Sequence, residues 1–212
     1  MDHSANSAGV FHKHADNYQE KFGNLTTYEE FYRQFCRLLP PGRARVLDAA
    51  CGPGNVSRYL ISQRPELDLL GIDLAPRMVE LARENVPARF MVHDCRNLAE
   101  LKQQFDGIIC AFGLPYLSRE EGAAFIQSAC EILELNGVVC LSTILGSSRA
   151  SGFESLSTGE QVHVTYYREE ELVGLLRERG FTIAVQKRIP SPEAVPKATT
   201  DLVIIAQKQK PI

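Results

Sequence analysis

Three aspartates stand at or just past the ends of apolar runs: Asp48 closes "RVLD", Asp73 closes "LDLLGID" 25 positions later, and Asp94 follows "RFMVH". Between the first two lies "AACGPGN", a loop of small residues with glycines at 52 and 54. Glycine lets backbone N–H groups approach a ligand closely. A helix that starts directly after such a loop adds unpaired N–H groups and a partial positive charge. A loop that only turned the chain would not need the acid in front of it. The combination suits a ligand that carries positive charge and also has groups seeking N–H donors.

A dinucleotide meets these conditions poorly. Its fingerprint, G-x-G-x-x-G, sets a pyrophosphate on the turn. Here Ser57 occupies the place of the third glycine, and Asp48, four residues before Gly52, would repel a pyrophosphate. S-adenosylmethionine meets both conditions: an ammonium for acid or carbonyl acceptors, a carboxylate for N–H donors, and a cationic sulfonium. Asp73 at the end of the next strand is placed to take two ribose hydroxyls, as acids do in related open sheets. Asp94 could meet the exocyclic amine of adenine.

The elements that would position these residues alternate. Apolar runs at 44–49, 67–73 and 88–93, then "FDGIICAF" and "VVCLSTIL", read as strands. Helical periods fall at 54–63, at 76–85 with Pro76 in the first turn, in a short piece near 97–104, and in a long helix capped by Ser118 with Glu121 and ended by Asn136-Gly137. This alternation implies parallel strands with right-handed crossovers. Before it, residues 1–9 read as frayed, a helix runs from Val10 to Phe22, and Thr27 with Glu30 makes a capping box for a second helix. After it, 145–165 reads as a long polar loop, followed by a helix near 168–179. "FTIAVQKRI" and "DLVIIAQK" are joined without a helix and so should pair antiparallel. Ligands of open α/β sheets sit beyond the carboxyl ends of the strands.

The chain resembles the class I S-adenosylmethionine-dependent methyltransferases of small-molecule type. "VLDAACGPG", "GIDLAPRM", "HDCRNL" and "FDGIICAFGLPYLS" resemble that family's first four motifs in order, over roughly residues 10–208. Ala50 stands where the family most often has its first glycine. The resemblance implies an α/β, Rossmann-like, mostly parallel sheet of seven strands in the order 3-2-1-4-5-7-6, with strand 7 antiparallel and helices on both faces. It implies a single domain over 1–212, a helical lid at 10–40, and a loop at 145–167 that contributes to the acceptor pocket. It further implies that Asp48, Ala49, Ala50, Cys51 and Gly52 hold the methionine end and that Asp73 takes the ribose. Leu74 and Met78 would flank the adenine, and Asp94 and Cys95 would reach its edge. Ala111 and Phe112 would lie beneath the sulfonium, and Tyr18 would close over the donor. S-adenosylhomocysteine would be the product.

A sulfonium is already an activated methyl donor, so catalysis would rest on in-line alignment of the acceptor and on excluding water. A base is needed only where the acceptor must lose a proton. His163 in "QVHVTYY" and Tyr116 after the fourth strand are the candidates, with Tyr166 beside them. The acceptor atom, O, N or C, stays open. A protein that binds the same ligand without turnover is the alternative reading. His12 and His14, two apart on a helix, point to different faces, so no metal is expected.

Composition narrows the field. The 212 residues fit one α/β unit, with 44% hydrophobic and 23% charged residues. The net charge is −3 and no basic tract appears, which speaks against a nucleic-acid substrate. "GLPY" at 113–116 also lacks the Asn/Asp-Pro-Pro-Tyr of DNA adenine methyltransferases. Six cysteines without a C-x-x-C pair, no signal-like apolar start, and no apolar run of membrane-spanning length lead to the expectation of a cytoplasmic protein with a small-molecule partner and no membrane.

Overall fold

The computed structural model describes residues 2–23, 26–156, 158–195 and 197–209. Helices α1 (His3–Lys13), α2 (Ala15–Phe22) and α3 (Glu29–Leu38) precede the alternation. There follow β1 (Arg45–Ala49), α4 (Asn55–Gln63), β2 (Asp68–Asp73), α5 (Pro76–Asn85), β3 (Arg89–Val92), a 3₁₀ segment (Cys95–Leu101) and β4 (Phe105–Ala111). After a 3₁₀ turn (Leu114–Tyr116) come α6 (Arg119–Ile132), β5 (Leu133–Leu145), the hairpin strands β6 (Gly152–Ser155) and β7 (Gln161–Val164), α7 (Glu169–Glu178), β8 (Phe181–Pro190) and β9 (Thr200–Lys208).

Seven strands form one sheet in the order β3-β2-β1-β4-β5-β9-β8. β1 to β5 are parallel, and β9 runs antiparallel to both of its neighbours. With the hairpin set aside, this is the order 3-2-1-4-5-7-6. The sheet is buried on both faces, which explains why its strands read as continuous apolar runs. Leu47, Ile72, Ile108 and Leu141 pack against Phe125 of α6 and Leu176 of α7. Val46, Leu69, Ile109 and Cys140 pack against Phe35 of α3, Leu60 of α4 and Val79 of α5. Full burial of each such side chain contributes about 1.5–3 kcal/mol.

Local structure departs from the sequence expectations at several points. Residues 3–9 are helical rather than frayed: Asp2 caps α1 by accepting the Ala5 N–H at 3.0 Å, and Ser4 and Ser7 are buried. The helix expected over 10–22 is broken at His14 (φ −113°, ψ 20°), so α1 and α2 meet at an angle. The Thr27–Glu30 box does not form. Tyr28 stands at the N-cap without a side-chain cap, and the Glu30 carboxylate takes the Gln34 amide instead. The Ser118–Glu121 box does form. α6 ends at Ile132 rather than at Asn136, because Leu133 already pairs with Phe105 of β4. Asn136, at φ 64°, sits in the irregular stretch that follows, where asparagine tolerates the left-handed region. Finally, 145–165 is not an open loop: Val162 and Val164 alternate with polar residues, and the segment folds into the β6–β7 hairpin.

Candidate active site

The glycine loop turns over the carboxyl end of β1. Ala50, Gly52 and Gly54 all lie in the left-handed region, with φ of 58°, 54° and 85°. Gly54 leads directly into α4, and its left-handed φ favours glycine, with a Cβ there standing a tight 3.1 Å from Val86. Asp73 ties the loop to the second strand. Its Oδ2 accepts the Gly52 N–H at 2.9 Å and its Oδ1 the Ala75 N–H at 2.9 Å. Each oxygen keeps a lone pair for a ligand. Burial raises the Asp73 carboxyl, and the N–H bonds from Ala75 and Gly52 oppose that shift.

Asp48 points the other way, onto the α4 face of the sheet. It is 0% exposed; Oδ2 accepts the Ser57 hydroxyl at 2.6 Å, and Oδ1 is buried without a partner. Burial pushes its carboxyl up to about 7, Asp73's charge adds to this, and the Ser57 bond opposes it. Asp48 and Ala49 do not line a described cavity. Strand alternation sends Asp48 beneath the loop and Ala49 into the core between β1 and α6. Ala50, Cys51 and Gly52 line a cavity of about 750 Å³.

A second cavity of about 110 Å³ adjoins it, bordered by Asp73, Leu74, Met78, Asp94 and Cys95. Ala111, Phe112, Tyr18, Ala50 and Gly52 border both, so the two spaces adjoin across the ends of β1 and β4. Tyr18 stands at that junction, edge-on to Phe11 at 5.9 Å, with its hydroxyl pushed up to about 12 by burial and then by Asp73's charge. Asp94 is more committed than its sequence suggests. It accepts the Arg96 N–H at 2.9 Å as N-cap of the 3₁₀ segment, and the Arg96 guanidinium grips both its oxygens at 2.6 to 3.0 Å. Ser7, on the segment expected to fray, borders the small cavity with its hydroxyl buried and unpartnered. No periodic signal in "HSANSAG" pointed to it.

The two proposed proton acceptors separate. Tyr116 lines both cavities, with its hydroxyl raised by burial. His163 does not line them. On β7, Val162 and Val164 face the cavity, while His163 faces the opposite way, stacked on His3 at 4.7 Å and edge-on to Phe153 at 5.5 Å. The period of two in a strand turns it away. Tyr166 donates to Glu154 at 2.8 Å and receives Lys197 at 2.9 Å, and so belongs to a small polar cluster at the cavity's edge. His12 accepts the Arg77 N–H and His14 pairs with Glu160; no metal-binding cluster occurs among the described residues. Two groups that the sequence did not disclose, Tyr28 and Asp201, also line the larger cavity.

Comparison with known proteins agrees with this geometry. The family described as "Methyltransferase domain" matches residues 46–137. A ubiquinone biosynthesis O-methyltransferase of Xanthomonas axonopodis pv. citri is 28% identical over 160 residues, which is 68% of this chain and 65% of that one. A demethylmenaquinone methyltransferase of Thermotoga maritima is 39% identical over 70 residues, 32% of this chain and 31% of that one, so the shared segment spans about a third of that relative's length. The magnesium protoporphyrin IX methyltransferase of Synechocystis PCC 6803, solved with S-adenosylhomocysteine, superposes with a TM-score of 0.73 at 18% identity, covering 98% of this chain and 100% of that one. A Burkholderia thailandensis 1,6-didemethyltoxoflavin-N1-methyltransferase gives 0.66 at 22% identity, covering 99% and 91%. The sheet order and these superpositions show the Rossmann-like fold of such methyltransferases, and the segment that matches the methyltransferase-domain family, residues 46–137, carries the glycine loop and the acids at the strand ends.

Proposed function

We propose that this protein transfers the methyl group of S-adenosylmethionine to a small-molecule acceptor by in-line displacement and releases S-adenosylhomocysteine. The observation that carries this reading is the pair of adjoining cavities, the smaller bordered by Asp73, Leu74 and Met78 and the larger by Ile144, with Ala111, Phe112 and Tyr116 between them. Its small end offers the Asp73 carboxylate and the Ser7 hydroxyl as polar groups for a nucleoside, and its large end has room for a second molecule.

The bound donor supplies an activated methyl group. The chain's task is to bind, orient and exclude water. Asp73 holds the ribose hydroxyls, and Leu74 and Met78 sandwich the adenine. Ser7 and Cys95 meet the adenine edge, with Asp94 fixed beside them by Arg96. The N–H groups around Ala50, Cys51 and Gly52 face the donor's carboxylate, and the unpartnered Oδ1 of Asp48 places negative charge behind the loop for its ammonium. Ala111 and Phe112 lie under the sulfonium and Tyr18 closes over it. α1 to α3, which cover most of the 10–40 segment and start at His3, serve as the lid, and the β6–β7 hairpin forms one wall of the acceptor chamber. Tyr116 orients the acceptor.

A net charge of −3 without a basic tract supports an acceptor other than nucleic acid. Six free cysteines support residence in the cytoplasm. No helix among the described residues is long and apolar enough to cross a membrane. Calorimetry tests the donor site: S-adenosylhomocysteine binds saturably and NADH does not compete. Turnover is then read as S-adenosylhomocysteine release when metabolite pools are supplied. Stabilisation by NADH with indifference to the sulfonium donor would overturn the reading.

A further inference from the structure

One buried pair on the acceptor side has no task in the scheme above. Asp201, the second residue of β9, is 2% exposed and borders the larger cavity. Its Oδ2 accepts a 2.6 Å hydrogen bond from the Tyr28 hydroxyl, and Tyr28 is itself 6% exposed and borders the same space. Its Oδ1 has only the Thr199 hydroxyl, at a long 3.4 Å. No lysine, arginine or histidine pairs with Asp201 among the described residues. A carboxylate held out of water without a cation costs stability, and this one keeps an under-used oxygen beside an open chamber.

The location is specific. Asp73 borders only the small cavity and Asp201 only the large one, while Phe112 borders both. The Tyr28 ring packs edge-on against Phe112 at 5.0 Å. The pair therefore stands next to the residue that underlies the donor's reactive centre, on the acceptor's side. The chamber around it is largely apolar, with Phe11, Ile144, Val162 and Val164 in its walls. Of the charged residues that line it, Glu154 and Lys197 pair at 2.7 Å, and Lys21, Glu29 and Arg58 line it as well.

Resting on the methyl-transfer reading, we propose that Asp201 is a catalytic residue that binds and deprotonates the acceptor, and that the acceptor is a neutral, ring-sized, apolar molecule presenting a hydroxyl. Tyr28 is a positioning residue: its hydroxyl fixes one carboxylate oxygen and leaves the other to the acceptor. The oxygen lone pair of the acceptor forms the new O–CH₃ bond as the S–CH₃ bond breaks, and the electron pair of that bond stays on sulfur. The acceptor's proton passes to Asp201, which returns it to solvent on product release. Burial raises the Asp201 carboxyl, and the bonds from Tyr28 and Thr199 restrain that rise. Tyr28, from the start of α3, is the titratable group in contact, and the flanking strands present Ile144 and Ile189 opposite Asp201.

The test uses the full chain saturated with S-adenosylhomocysteine and titrated calorimetrically with 2-naphthol, 2-methoxynaphthalene and 2-naphthoate. A hydrogen bond to a buried carboxylate makes 2-naphthol bind about 10- to 100-fold more tightly than its methyl ether, and the carboxylate excludes 2-naphthoate. Asp201→Leu abolishes the preference for naphthol over its ether and leaves S-adenosylhomocysteine affinity unchanged. Asp201→Asn, which preserves shape and the Tyr28 contact, admits 2-naphthoate. Naphthol affinity falls as pH is lowered through the Asp201 titration in the parent protein and not in Asp201→Asn. Tyr28→Phe moves that midpoint upward. With S-adenosylmethionine, formation of 2-methoxynaphthalene drops at least about 100-fold in Asp201→Asn, within the range for loss of a general base. Equal affinity for naphthol and its ether, absence of naphthol binding, or a preference that survives Asp201→Leu would overturn the proposal while methyl transfer stands. Absence of S-adenosylhomocysteine binding in the first titration would overturn both.

Discussion

Asp73 accepts the N–H groups of Gly52 and Ala75, so one carboxylate fixes the glycine loop and the entry to α5 while its remaining lone pairs face the small cavity. In the proposed scheme, replacing it removes a contact to the donor and loosens the glycine loop. Asp73→Ala is expected to weaken S-adenosylhomocysteine binding by about 1.5–3 kcal/mol in calorimetry, the range for a hydrogen bond to a charged group. Unchanged affinity would refute the ribose role. Ala50 offers a contrasting test. It holds φ 58° with a Cβ, and a Cβ built on Gly113 would stand 2.8 Å from it, so the loop is both strained and closely packed. Left-handed backbone costs an L-residue roughly 1–2 kcal/mol, part of which glycine gives back through its freer unfolded chain. Ala50→Gly should therefore raise stability by about 0.5–1 kcal/mol in urea denaturation. A loss of stability would show that the methyl group's packing outweighs the dihedral strain.

At the level of elements, the hairpin and the N-terminal helices work as a unit. β6 and β7 turn Glu154, Val162 and Val164 toward the chamber and Phe153 and His163 away from it, against His3 of α1. His163→Ala should accordingly leave methyl-transfer rates unchanged once an acceptor is in hand, and a large loss of kcat would contradict the strand's facing. The helices are pinned by charge. Arg96 pairs with Asp2, Arg77 with Asp16, and Glu160 takes both Lys13 at 2.7 Å and His14 at 2.5 Å. Surface pairs of this kind contribute little to global stability, but Glu160 joins the hairpin to the junction of α1 and α2. Glu160→Ala should leave the melting temperature nearly unchanged and raise the dissociation rate of S-adenosylhomocysteine severalfold in stopped-flow measurements. An unaltered rate would mean that these helices do not open for exchange.

For the molecule as a whole, the buried carboxyls of Asp48 and Asp73 oppose folding when charged in the absence of ligand. The Asp48 carboxyl stands at about 7 in the folded chain, against an ordinary value of 3.8, because it is buried. A group raised on folding contributes most to stability below its unfolded value, and that contribution is lost as pH climbs to the folded value. The ligand-free protein should thus lose stability between about pH 4 and pH 7 from this source and show no further loss from it above. Asp48→Asn, which retains an acceptor for Ser57, should melt higher than the parent at pH 8 and show a flatter pH dependence by calorimetry. A bound ammonium should offset the same charge, so S-adenosylhomocysteine should stabilise the parent more at pH 8 than at pH 5, and Asp48→Asn should lose that difference. Identical pH profiles for the two proteins would refute a buried ionisable Asp48.

Part of the proposed donor half was legible in the residues because it is local, while the roles given to Leu74 and Met78 came from the family resemblance. Asp48, Gly52, Gly54, Asp73 and Met78 sit at strand tips and helix starts, and strand–helix alternation brings consecutive tips to one edge of a parallel sheet. The same locality made β1 to β5 readable, while their order came from the family resemblance. The ends of helices were less so: Asn136-Gly137 looks like a helix stop, yet Leu133 is already captured by β4, a pairing that no helical period reports. The proposed acceptor half was hidden. Tyr28 and Asp201 are 173 positions apart and meet only because α3 packs over β9. His163 looked like a site residue until the pairing of β6 with β7 fixed which way it faces. Adjacent residues inherit their geometry from the backbone's own periods, whereas residues far apart in sequence acquire a common chamber only when burial of apolar surface has chosen one packing of the whole chain.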